Sequence, residues 1–68
     1  MKKLFLTSEV ADLLRLSEEH VRLLLRTRKL KGYKEGRKSG YRIPESEVIR
    51  YINFKMKDEE KKHIRKAG

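Results

Sequence analysis

The sequence contains no cysteine, which excludes a disulfide framework, Cys-based zinc fingers and thiol chemistry, and fits a reducing cytosol. It also lacks any long hydrophobic run. Leu4-Phe5-Leu6, behind Met1-Lys2-Lys3, is far shorter than the apolar core of a signal peptide, and no stretch is long enough to span a bilayer. These absences predict a cytoplasmic protein with no membrane partner. His20 and His63 come with no cysteine and no obvious acidic ligand geometry, no Gly-rich loop leads into a phosphate-cradling helix, and Ser17 and Ser46 read as helix caps. Neither an enzyme nor a cofactor is expected.

What the chain does have is positive charge. Its 68 residues carry a net +9 with 43% charged and 37% hydrophobic residues, so it forms one small domain near the lower limit for a core without staples. The charge is concentrated. Residues 28–42, RKLKGYKEGRKSGYR, hold seven Lys and Arg against one Glu, a net +6. Such a cluster calls for a polyanionic partner, and nucleic acid, an anionic membrane surface and an acidic protein are the classes to separate.

Apolar spacing and capping residues organise the chain. Thr7-Ser8-Glu9 offers an N-cap and a first-turn acid, followed by Val10, Ala11, Leu13 and Leu14 at helical spacing, which predicts a helix over 8–15. Ser17 then caps Glu18-Glu19 and the set Val21, Leu24, Leu25, which predicts a second helix over 18–28. A break of two or three residues between them forces the sharp reorientation of a helix-turn-helix. Glycine is absent from that turn, so Arg15 or Leu16 must supply the bend.

Beyond the second helix, residues 30–34 are expected to pair with 41–43 across a loop bounded by Gly36 and Gly40, both able to take positive φ. Pro44 stops that strand, and Glu45-Ser46-Glu47 starts a third helix with Ser46 as its cap and Val48, Ile49, Ile52 and Met56 inward. From Asp58 onward a helical extension and a disordered basic tail are both open. The expected fold class is mainly α with a small β-hairpin, a winged helix-turn-helix in the order helix, helix, hairpin, helix. Residues 1–54 make the domain and 55–68 the extension.

On a helical wheel at 100° per residue, Leu24, Leu25 and Arg28 fall within about 60° of Val21, while Glu19, Leu23 and Arg26 lie opposite. The expected core adds Val10, Leu13, Leu14, Leu16, Ile43, Val48 and Ile52. That leaves Glu19, His20, Arg22, Leu23 and Arg26 as an exposed face, suited to the major groove, where arginine can bond two acceptors of guanine. Each has a plainer reading. Arg22 and Arg26 could be solvated or paired with Glu18 and Glu19, His20 could be an ordinary surface histidine, and Leu23 could pack under the hairpin. Glu18 and Glu19 suit the helix dipole and repel phosphate; acceptance of a hydrogen bond from cytosine by Glu19 is the minor alternative.

Lys34, Arg37, Lys38 and Arg42, with Ser39 at the loop tip, lie on or beside the projecting hairpin, where they could follow a phosphate backbone or enter a minor groove. Arg42 could instead be aimed at Glu45 or Glu47.

The residues FLTSEVADLL, LSEEHVRLLLRTRKLKGYK and GYRIPESEVIRYI, in that order, resemble the excisionase and MerR-type winged helix-turn-helix domains over about residues 4–52. Tyr41-Arg42-Ile43-Pro44 before an acidic helix start is the most specific element. The resemblance implies a DNA-binding module whose recognition helix is Glu18 to Arg26, whose wing is Gly36 to Gly40, and whose Thr7 and Ser8 touch phosphate. Three features depart from the family pattern: the paired glutamates, the absent turn glycine and a wing a residue or two longer than the commonest form.

A sequence-specific, double-stranded DNA-binding protein of excisionase type is therefore expected, one that binds repeated sites and bends DNA. The alternatives are a small MerR-like regulator and an adaptor that holds an integrase or recombinase through Leu23, Phe5 and the C-terminal segment. Effector sensing is not expected, since the segment after Phe54 is shorter than a coiled coil plus effector region. Homo-oligomers or a cooperative array would compensate for the weak reading of one short site, with Ile52, Phe54, Met56 and Ile64 as the contact candidates.

Overall fold

A computed structural model describes residues 3–67, with side chains through Glu60. Six elements follow one another: β1 (Leu4–Phe5), α1 (Thr7–Leu14), α2 (Glu18–Arg26), β2 (Tyr33–Lys34), β3 (Tyr41–Pro44) and α3 (Glu45–Ala67). The result is a small, mainly helical winged helix-turn-helix. Its hairpin belongs to an antiparallel sheet of three strands in the order β1-β3-β2, where a two-stranded wing was expected. β1 is too short to show a periodic pattern, yet Leu4 pairs with Pro44 and Phe5 with Ile43, and the Glu45 N–H donates to the Lys3 carbonyl at 3.0 Å.

The bend between α1 and α2 rests on Arg15, whose φ of 59° and ψ of 44° are left-handed. Its N–H and that of Leu16 bond back to carbonyls of the last turn, Leu16 to Ala11 at 2.9 Å, so the helix closes as it would with glycine in this position. α1 begins one residue earlier than its serine and threonine suggest. Leu6 is the N-cap, and the Glu9 carboxylate reaches back to accept the Leu6 N–H at 2.8 Å, which places Thr7 and Ser8 inside the first turn. Ser17 does cap α2, its Oγ accepting the His20 N–H at 3.0 Å. Ser46 does not cap α3, because the helix starts directly after Pro44 and holds Ser46 in its first turn.

α2 stops at Arg26, two residues short of the expected end. Thr27 turns its hydroxyl onto the Leu23 carbonyl at 2.9 Å, and Arg28 takes φ 67°, which ends the helix and removes Arg28 from the apolar stripe to the surface. β2 is correspondingly short. Leu30, expected in the strand, is 1% exposed and joins the core.

That core consists of Val10 and Ala11 from α1, Val21, Leu24 and Leu25 from α2, then Leu30, Ile43 and Val48, with Phe5, Leu14, Leu16, Tyr41 and Tyr51 packed around it. Four expected apolar positions are outside it: Leu13, Ile49, Ile52 and Met56 are between 41% and 61% exposed. Leu13 lies on the outer side of α1, and from α3 only Val48 enters the core with Tyr51 packed on it, while Ile52 and Met56 line a shallow groove with Leu14 and Leu16. The helix itself runs through Asp58 to Ala67; the side chains of His63 and Ile64 lie outside those described.

Candidate nucleic-acid interface

Three separate elements converge on one open cleft of about 480 Å³. Leu6, Thr7 and Ser8 come from the start of α1, Glu18 and Arg22 from α2, and Lys34, Arg37, Lys38, Ser39, Gly40, Tyr41 and Arg42 from the wing. Five cations face one carboxylate in this wall, so the cleft is suited to an anion.

Local structure explains why each side chain is there. Leu6 has no side-chain acceptor with which to cap α1, and the first N–H groups of a helix have no partner within it. Thr7 and Ser8 therefore bring hydroxyls and helix-start amides to the cleft, a combination that favours phosphate oxygens. Arg22 lies one turn into α2, its Nη2 3.4 Å from Glu18 Oε1, with the two side chains 46% and 50% exposed. An exposed i,i+4 pair of this kind contributes little, and the guanidinium keeps most of its five donors for another acceptor.

The wing is shaped by a side chain. Ser39 Oγ accepts the Gly36 N–H at 2.8 Å and donates to the Gly36 carbonyl at 3.1 Å, while the Ser39 N–H also reaches that carbonyl at 3.3 Å. These bonds close the turn, so neither Gly36 nor Gly40 adopts the positive φ expected of them. Arg37 and Lys38 project from the tip, exposed. Tyr33 pairs with Arg42 and Lys34 with Tyr41, and Lys34 Nζ stands 5.3 Å from the centroid of the Tyr41 ring, a cation–π contact that limits where the ammonium can go. Arg42 is aimed at neither Glu45 nor Glu47. Its Nη1 donates to the Gly40 carbonyl at 3.3 Å, and Glu47 meets Arg50 at 3.5 Å.

The residues singled out from sequence thus divide between two surfaces. Thr7, Ser8, Arg22, Lys34, Arg37, Lys38, Ser39 and Arg42 share the cleft; Glu19, His20, Leu23 and Arg26 are exposed on α2 and outside its wall. Glu18 and Gly40, the ends of the expected recognition helix and wing, also line the cleft, and Leu6 and Tyr41 complete it without any sequence signal of a contact. The i,i+4 spacing from Glu18 to Arg22 was the available signal. Among the described residues no cluster could hold a metal ion, and no helix is long and apolar enough to cross a membrane.

Comparison with curated proteins and with solved structures gave no match. A family model described as a helix-turn-helix domain matches residues 5–56, a span that takes in α1, α2, the wing and the first part of α3. By that match over most of its length, the chain belongs to the helix-turn-helix domain family of double-stranded DNA-binding modules.

Proposed function

We propose that this protein is a sequence-specific architectural factor of excisionase type, which binds repeated sites in duplex DNA and bends them. The observation that carries the reading is the convergence of α1, α2 and the wing on one cationic cleft, beside an outward α2 face that presents Glu19, His20, Leu23 and Arg26. With α2 in the major groove, that face meets base edges while the cleft takes the flanking phosphates and Arg37 and Lys38 follow the backbone or enter the minor groove. The work is positioning, with no covalent step. Wings that draw the backbone inward on adjacent sites would bend the duplex. Contact between neighbouring copies is assigned to the α3 side where Ile52 and Met56 form a groove with Leu14 and Leu16. On this reading the protein acts on the nucleoid in the cytoplasm, alongside an integrase or recombinase.

Selection from random duplexes, followed by footprinting and a circular-permutation bending assay, tests the proposal. Five cleft cations predict a slope of roughly −4 to −5 in log affinity against log salt concentration. An absence of enrichment, or an affinity that salt hardly changes, refutes it. Specific binding without bending would favour a small MerR-like regulator.

A further inference from the structure

A second cationic concavity lies beyond the other end of α2. Its volume is about 440 Å³, and it shares no residue with the DNA cleft. Arg28, Lys29 and Lys31 enter from the segment after α2, while Glu47, Arg50, Tyr51 and Phe54 enter from α3. The four α3 residues follow an i, i+3, i+4, i+7 pattern, which places them on one stripe of that helix. The opposite side carries Ile52 and Met56.

Two observations distinguish this concavity from a general basic surface. Four cations surround aromatic rings, and Phe54 is 60% exposed; a phosphate backbone needs the cations and has no use for the phenyl ring. In addition, Arg28 holds φ 67°, a left-handed conformation that an L side chain adopts at a cost and that glycine adopts freely. The turn could be made by glycine; arginine there adds a guanidinium to the rim.

We propose that this concavity is a docking site for an acidic peptide segment bearing one bulky apolar residue, presented by a partner protein. The apolar residue lies against Phe54 and Tyr51, and the flanking carboxylates meet Arg28, Lys29, Lys31 and Arg50. Glu47, already paired with Arg50 at 3.5 Å, yields its partner to the incoming carboxylate. The two walls have no residue in common, so on the proposed DNA-binding mode the peptide takes no contact that the duplex uses.

The test uses the full chain and a fluorescent peptide in which Asp and Glu residues flank one phenylalanine, with the same peptide carrying alanine instead as comparison. Saturable binding is expected for the phenylalanine peptide, about tenfold weaker for the alanine peptide and about tenfold weaker for Phe54→Ala, the loss of one desolvated aromatic contact. Arg28→Gly should unfold at a higher temperature and yet bind the peptide less tightly, a split that a purely structural role for Arg28 does not produce. Arg37→Ala with Lys38→Ala should leave peptide affinity unchanged, and binding should persist when duplex DNA is present. Equal binding of both peptides, displacement of the peptide by duplex DNA, or tighter, Phe54-dependent binding to vesicles of anionic phospholipid would each overturn the proposal.

Discussion

Replacing Arg15 with glycine should make this protein more stable, although an arginine is lost from a highly charged surface. Arg15 sits at φ 59° and ψ 44°, near the centre of the left-handed region, where Cβ crowding costs an L residue roughly 1–2 kcal/mol. Its side chain is exposed and forms no ion pair among the described residues, so little is lost with it. Glycine removes the crowding but adds backbone freedom to the unfolded chain, an offset of roughly 0.5–1 kcal/mol. The net gain lies between about 0 and 1.5 kcal/mol, and its midpoint of about 0.75 kcal/mol raises Tm by about 3–6 °C for a domain of this size. Thermal unfolding followed by circular dichroism measures it, with Arg15→Ala as the control because alanine keeps the Cβ. A melting temperature for Arg15→Gly at or below that of the parent, or an equal gain in Arg15→Ala, refutes the reasoning.

Arg37→Ala with Lys38→Ala should leave the fold intact, since both side chains are exposed at the wing tip, and should nearly abolish DNA binding; any residual affinity should show a salt slope shallower by about 2, as two phosphate contacts predict. Gly32→Ala should destabilise by about 1–3 kcal/mol through overpacking, because a Cβ there would meet the Arg42 carbonyl oxygen at 2.9 Å and Ile43 and Leu25 side-chain carbons at 3.0 Å; chemical denaturation reads this directly, and an unchanged midpoint would show that β3 can yield. Ser17→Ala removes the cap that accepts the His20 N–H and should cost about 1 kcal/mol, again by denaturation, whereas a Ser46→Ala control in the first turn of α3 should cost less.

Helix positions were legible because apolar spacing and a capping serine at residue 17 agree with each other; the missing glycine narrowed the bend to Arg15 or Leu16, and the left-handed residue is Arg15. The start of α1 was obscured by two residues with good capping chemistry standing next to the true cap; only the reach of Glu9 back to Leu6 marks the boundary. The inward face of α3 was misread for a different reason. Periodicity identifies an apolar stripe but cannot say which part of it a neighbouring element covers, and Ile49, Ile52 and Met56 stay exposed beside the buried Val48. In the wing, two glycines suggested a left-handed turn that the Ser39 hydroxyl makes unnecessary. Charge density pointed to the wing cations Lys34, Arg37, Lys38 and Arg42, and the helical wheel to Arg22. Charge density could not find Tyr41, whose place depends on strand register, nor show that the outward α2 residues form a surface of their own.

The pairing of Leu4 and Phe5 with the strand that leads out of the wing has a practical consequence for handling this protein. β3 is the central strand, with β2, its partner in the wing hairpin, on one side and the N-terminal β1 on the other, and the Lys3 carbonyl secures the first amide of α3. Trimming the first five residues, or fusing a bulky tag close to Lys3, would leave every cleft cation in the sequence and still loosen the strand that carries Arg42. A purification handle therefore belongs after α3, and a DNA-binding defect in an N-terminally modified preparation would report a loosened hinge for the wing rather than a lost contact.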